Sequence, residues 1–214
     1  MTINLEILDS AYVYAPQEIV ELRSKEFVPK MMTRRRLTRA SKIAIYLANE
    51  VSFSQGRIIY GSSFGELTAT ANILDSIAEK TPISPTHFQN SVYNTAVSYL
   101  SMLYQNKAEI MTLSSGDETS SSLLKMGAIK ALDGDTILLL LTETLNIPNI
   151  EEVNSCSEML ECGVALKIKV TEEKANINYQ ENLTKIAVPN SIKSLLSIAE
   201  KCQSNQANII TVKL

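Results

Sequence analysis

One histidine, His87, and three cysteines, Cys156, Cys162 and Cys202, are all the chain holds of the residue types that most often ligate transition metals. A histidine-built metal centre and any mechanism needing two histidines are excluded within these 214 residues. The cysteines are not spaced as zinc ligands and read as reduced, structural side chains. Only seven glycines occur. None falls into a G-x-G-x-x-G or lysine-bearing phosphate-loop pattern, so no dinucleotide cofactor is expected. Long apolar runs are missing too. The longest, Ile137 to Leu141, is far short of the roughly 20 residues of a membrane helix. The first residues, MTINLEILDS, have neither the basic start nor the apolar core of a secretory signal, and the protein is expected to be cytoplasmic.

What is present is a large apolar fraction, 45%. That is enough for one substantial core, and a single domain over 1–214 is expected. The net charge is −3 but unevenly spread. Arg23, Lys25, Lys30, Arg34, Arg35, Arg36, Arg39 and Lys42 crowd one stretch against Glu26 alone. A nucleic-acid surface usually raises the isoelectric point of its domain; here it is about 5.4. A solvated face or a site for an acidic protein fits better than nucleic acid.

Periodicity gives an alternation of helices and strands. Residues 3–14 alternate as a strand. Thr33 is placed as the cap of a helix running through LTRASKIAIYLANEV, with Leu37, Ala40, Ala44, Leu47 and Val51 on one face. RIIYGS reads as a buried strand. A helix follows over FGELTATANILDSIAEK, with Leu67, Ala71, Leu74 and Ala78 on one side. NSVYNTAVSYLSMLYQ is a further helix, EIMTLS a strand, and SSLLKMGAIKAL a helix expected to be buried nearly all round. TILLLLTE has the unbroken apolar character of a strand covered on both faces. A weak helix near 152–161, antiparallel strands over GVALKIKV and KANINYQ, a helix from Ser191 to Lys201 and a last strand, NIITVKL, complete an α/β layered domain with a mixed sheet flanked by helices.

Two stretches stand out. In TLSSGDETSSSLL, Ser115-Gly116-Asp117-Glu118 has the S-x-x-E form of a capping box, in which serine oxygen and glutamate carboxylate satisfy free amides at a helix start. A nucleophilic serine would need an activating base and a G-x-S-x-G elbow, which is absent. In ISPTHFQNSVYNTAVSYLSMLYQ, the side chains His87, Phe88, Asn90, Tyr93 and Asn94 mix apolar and hydrogen-bonding character. That mixture suits a protein interface as well as a buried loop with satisfied amides.

The order YGSSFGEL, then ISPTHFQNSVYNTAVSYLSMLYQ, then IMTLSSGDETSSSLLKMGAIKAL resembles the N-terminal half of β-ketoacyl synthases. It covers residues 37 to 143 well and the ends loosely. That family has a thiolase-like fold, a G-S-x-x-G-like turn, an S-P-x-x-x-x-N-S/T-x-x-N segment and a T-A-C-S-S nucleophile elbow. Spacing from Asn94 carries without a gap to that elbow, where the family's cysteine falls on Asp117. An aspartate cannot take up an acyl group from a carrier thioester as a thiolate does. The family's second half supplies two catalytic histidines and a gating phenylalanine. The chain is similar to the shortened, stand-alone group of that family, whose relatives include chain-length factors of aryl polyene and similar type II polyketide pathways.

The resemblance implies a non-catalytic subunit, without metal or cofactor, that pairs with a full-length ketosynthase and receives an acyl carrier protein. It implies a degenerate elbow at Ser115, Gly116, Asp117 and Glu118, with the strand from Glu109 to Ser115 at the dimer interface. Phe64, His87, Phe88, Asn90, Tyr93 and Asn94 are expected at the acyl tunnel and partner contact. Arg34, Arg35, Arg36 and Arg39 are expected to dock the carrier. Two rivals stay open: a reduced acyl-carrier-dependent acyltransferase or condensing enzyme using Ser115, Asp117 or Glu118, and a homodimeric acyl-carrier-binding module.

Overall fold

The run ILLLLTET is buried at every position, and it is the strand around which the molecule is assembled. The computed structural model describes residues 1–148, 150, 158–178, 183–205 and 207–214. Six strands, β1 (Thr2–Ala15), β2 (Arg57–Gly61), β3 (Ile110–Leu113), β4 (Ile137–Thr144), β5 (Glu161–Val170) and β6 (Ile209–Lys213), form one sheet in the order β3-β2-β4-β5-β1-β6. The pairings β3–β2 and β2–β4 are parallel; β4–β5, β5–β1 and β1–β6 are antiparallel. Parallel neighbours need crossover helices, which cover the sheet on both faces, so β4 has no solvated side and no polar alternation.

The helices are α1 (Ser24–Phe27), α2 (Met31–Arg34), α3 (Arg39–Glu50), α4 (Leu67–Ala78), α5 (Pro85–Asn90), α6 (Thr95–Tyr104), α7 (Thr119–Lys130) and α8 (Asn190–Asn205). Ile43, Leu47, Val97 and Leu100 of α3 and α6 pack with Leu138 and Leu140 on one face. Leu123, Leu124, Ile192, Leu195 and Leu196 of α7 and α8 pack with Leu139 and Leu141 on the other. Two glycines let α7 lie close to the sheet. A Cβ on Gly61 would come 2.3 Å from Leu123 Cδ1, and one on Gly127 would come 2.8 Å from Leu139 Cδ2.

Several boundaries differ from the sequence reading. The cap of α3 is Thr38, whose hydroxyl accepts from Ser41 N at 3.1 Å, and Thr33 lies inside the short α2. The helix expected from Asn90 is split, because buried Asn90 bends the chain. Its carbonyl accepts from Thr95 Oγ1 and its side chain from Tyr99 Oη. Helix α7 is buried on one side only, with Lys125 and Ile129 exposed. The strand expected over KANINYQ is reduced to a single parallel bridge, Ile177 to Ile210. There the Asn176 carboxamide accepts from Asn208 N and Ile209 N in place of a ladder, and 179–180 lie outside the described residues. The expected weak helix near 152–161 falls largely on 152–157, also outside them; Glu158 and Met159 bond Ala187 O, and Glu161 already belongs to β5.

The apolar side expected for α4 exists, but little of the chain covers it. Leu74 is 60% exposed and Ile77 58%, and only Ala69 of this helix is buried.

Candidate functional site

Strands β2 and β4 end side by side, and the carboxylate of Glu143 closes the gap between them. It is fully buried. Its Oε1 accepts from Ser63 N and the Ser191 hydroxyl, both at 2.7 Å, and its Oε2 from the Ser62 hydroxyl at 2.8 Å and Phe64 N at 3.3 Å. Burial pushes this carboxyl above its ordinary pKa, and the four donors pull it back only in part. The Ser62 hydroxyl also accepts from Gly65 N at 2.8 Å. Gly65 has φ +62°, and its missing side chain leaves room for the Tyr93 ring, 3.3 Å from where a Cβ would stand. Tyr93 Oη donates to Ser63 O at 3.2 Å. The turn bearing Phe64 is thus fixed from below by Glu143 and from the side by Tyr93.

The turn expected to be a degenerate elbow follows β3. Ser115, Gly116, Asp117 and Glu118 are all exposed, in a 3-10 turn leading into α7. The capping box expected here does not form. Thr119 holds the turn instead, its hydroxyl accepting from Ser115 N at 3.1 Å and donating to Gly116 O at 2.6 Å. Glu118 turns away from the cap and accepts from the Ser121 hydroxyl at 2.8 Å. Asp117 accepts from Asn190 Nδ2 at 3.2 Å. The first turn of α8 therefore touches both the elbow, through Asn190, and buried Glu143, through Ser191. Among the described residues, no group of three or more His, Cys, Asp or Glu side chains converges as a metal site. No helix among them is long and apolar enough to cross a membrane.

The remaining expected residues separate into surface and interior. Phe88 is 70% exposed, and Tyr93 and Asn94 are exposed beside it. His87 and Phe64 are half-buried. Asn90 is internal, spent on Thr95 and Tyr99, and is not a surface contact. Leu74 and Ile77 of α4, Phe88 of α5, and Ile83 and Val92 in the segments beside α5 are exposed apolar side chains. Strand β3 is the edge of the sheet.

The arginines also divide. Arg35 and Arg36 are exposed. Arg34 donates to the carbonyls of Val28 and Pro29 and so holds its own loop. Arg39 is committed to the interior: it meets Glu161 with Nε at 2.7 Å and Nη2 at 2.5 Å, and Glu161, almost wholly buried, also accepts from Ile19 N at 2.8 Å. Arg39 is a structural partner of β5 rather than a free docking cation.

Sequence reasoning missed Glu143, Glu161 and Glu66. The signal for Glu143 was legible: one acid inside an otherwise apolar, doubly covered strand has to be buried and satisfied. Glu161 opens a strand and Glu66 precedes a helix, where acids are ordinary, so neither declares itself.

Residues 14–212 match the model of the β-ketoacyl synthase N-terminal domain. The chain belongs to this family. Among solved structures, the ketosynthase-like fold is similar to a chain in the complex of the ketosynthase ApeO with its chain length factor ApeC from Xenorhabdus doucetiae. That match has TM-score 0.66 and 21% identity, over 87% of each chain. The ishigamide ketosynthase/chain length factor matches with TM-score 0.60 and 11% identity, over 81% of this chain and 63% of that one. A β-ketoacyl synthase from Burkholderia phymatum matches with TM-score 0.58 and 12% identity, over 79% and 60%. At such identities these likenesses establish the fold, a thiolase-like α/β half. Comparison with curated protein sequences gives no match.

Proposed function

We propose that this chain is a non-catalytic, chain-length-factor-like subunit that pairs with a full-length β-ketoacyl-carrier synthase and shapes its acyl tunnel. The observation that carries the reading is the β3 edge, unpaired among the described residues, lying in a molecule whose α4 and α5 present exposed Leu74, Ile77 and Phe88. An open edge strand offers a row of free N–H and C=O groups for another strand, and large exposed apolar patches mark interaction sites. A complex of a ketosynthase with its chain length factor is among the folds it resembles. The elbow supports a non-catalytic role: Asp117 stands at the nucleophile position and is engaged by an amide side chain, not by a base.

In this reading β3 extends its sheet into that of the synthase, the α4–α5 surface buries against it, and Phe64, His87 and Phe88 face the far end of the partner's tunnel. Bulky side chains there limit the acyl chain by exclusion. Arg35 and Arg36 meet the acidic carrier protein. The setting is type II polyketide synthesis, of the aryl polyene kind, in the cytoplasm.

The test is co-expression with a full-length ketosynthase and reconstitution with acyl- and malonyl-carrier protein. A stable heterodimer is expected, and Phe64→Ala or Phe88→Ala should lengthen the products while the heterodimer stays intact. A chain that ignores every synthase and pairs only with itself overturns the reading in favour of a homodimeric module.

A further inference from the structure

Away from the elbow and the β3 edge, a half-open cavity of about 650 Å³ lies between residues 28–37 and α6. Its floor is apolar. Val28, Leu37 and Ile45 are buried beneath it, and Tyr99 and Leu103 form a wall. Met32 and Met102 flank the cavity, each about two-thirds exposed, at 64% and 65%. Methionine is flexible and polarizable, and suits a surface that adapts to a variable apolar guest.

The charges around this cavity have one sign. Lys30 and Arg36 line it, both are exposed, and among the described residues no acidic one does. Neither side chain forms an ion pair among the described residues, whereas Arg39 nearby in the sequence is paired with Glu161 and Glu18. The volume falls within the roughly 300–1,000 Å³ usual for small-molecule sites. A guest that fits this lining has a hydrocarbon body for the floor and a single anionic end for the exposed cations. An amphipathic protein helix carries several charges and a broad face, more than two cations and one narrow recess match.

We propose that this cavity binds a free single-chain carboxylic amphiphile, its tail against Val28, Leu37, Ile45, Tyr99 and Leu103 and its carboxylate at Lys30 and Arg36. The site does not depend on the elbow, on β3 or on pairing with a synthase. It gives the subunit a place to hold a released acyl acid outside any reaction tunnel.

Photoaffinity labelling tests this on the full chain, alone or within a synthase complex, because mapping the labelled peptides separates this cavity from a partner's tunnel. The probe is a long-chain fatty acid bearing a diazirine on its tail, compared with the matching amine and the matching neutral pantetheine thioester. Labelling is expected in peptides spanning 28–37 and 99–105, about threefold to fivefold stronger for the acid than for the other two, as contacts to two exposed cations imply. Lys30→Glu with Arg36→Glu, both on the surface, should remove that preference. Leu103→Trp should block labelling by filling the recess. Labels scattered over the chain, or equal labelling by acid, amine and thioester, overturn the proposal. So does acid selectivity that survives both charge reversals. None of these outcomes bears on heterodimer formation or product length, which are read separately.

Discussion

The Ser191 hydroxyl donates to Glu143 Oε1 at 2.7 Å and ties the first turn of α8 to the end of β4. The same carboxylate holds the turn that carries Phe64. Glu143→Ala removes the acceptor from two hydroxyls and two amides, each costing about 1–3 kcal/mol when buried without a partner. Relief of the buried carboxylate's own desolvation offsets part of this, and the expected loss is about 3–5 kcal/mol, read from urea unfolding. Ser191→Ala should cost much less, since it leaves the carboxylate three donors. A Glu143→Ala protein within about 1 kcal/mol of the parent would remove Glu143 from this role.

Glu66 predicts a pH dependence. Among the described residues its only hydrogen-bonding side-chain partner is the Thr38 hydroxyl at 2.7 Å, and burial lifts its carboxyl from the ordinary 4.5 to about 7. The folded chain therefore keeps this proton where the unfolded chain has released it. The associated stability is complete below about pH 4.5 and is lost as pH rises through about 7, amounting to at most about 3 kcal/mol. Glu66→Gln keeps an acceptor for Thr38 but does not titrate. Parent and variant, compared by unfolding at pH 5 and pH 8, should diverge at pH 8 in favour of the variant. A constant difference contradicts the burial argument.

The β3 edge has a defined polarity. Ile58 N bonds Glu109 O at 3.1 Å and Ser62 N bonds Leu113 O at 3.4 Å, so Ile110 and Thr112 direct their backbone groups outward. Thr112→Pro deletes one outward amide and spares the β2 pairing. Subunit folding should survive, judged by circular dichroism, while co-purification with the synthase falls at least about tenfold. Undiminished co-purification would mean that β3 is not the contact.

The arginines should behave as two classes. Arg39→Ala strands the carboxylate of Glu161 in the interior, a change that typically costs about 3–5 kcal/mol, visible as a lowered unfolding midpoint. Arg35→Glu with Arg36→Glu should leave that midpoint alone and slow carrier-dependent turnover of the complex, most at low salt. Turnover untouched at low salt removes these two side chains from carrier docking.

Asp117→Cys should not create a condensing enzyme. A thiol at that place faces Asn190, which cannot take its proton as an imidazole does. Incubation with acyl- and malonyl-carrier protein, followed by mass spectrometry, should give no condensed product without a partner. Steady turnover by the lone variant would refute the non-catalytic reading.

How much of this was legible depends on how local the cause was. The strand over 137–144 announced itself, because burial on both faces leaves an unbroken apolar run. Helix α3 was placed by its spacing of apolar residues, but its start was not. Thr33 and Thr38 are equally good caps by type, and only the packing of Leu37 against the core chooses between them. The capping box failed because Thr119, one position beyond Glu118, takes Ser115 N, the amide that Glu118 would have reached, with a shorter side chain. The exposed side of α4 looked like a core face; periodicity reports that a face is apolar, not what covers it. Arg39 was counted with its neighbours because nothing in RRRLTR reveals that Glu161, far along the chain, waits inside for one of them.

Strand β1 lies between β5 and β6, and Leu214 N bonds Met1 O at 3.1 Å. Strand β1 is thus held by two strands from far later in the chain. While the chain grows from the ribosome, β1 has neither neighbour until residues 161–170 and then 209–213 have emerged. Pairings between such distant segments form late and slowly. Helix α8, which shields the sheet on the elbow side, lies between those two strands in the chain and arrives with them. The nascent chain therefore carries bare strand edges until those later segments arrive. Its yield in the cell should depend on how quickly chaperones or a waiting synthase meet it, more than on the stability of the finished fold.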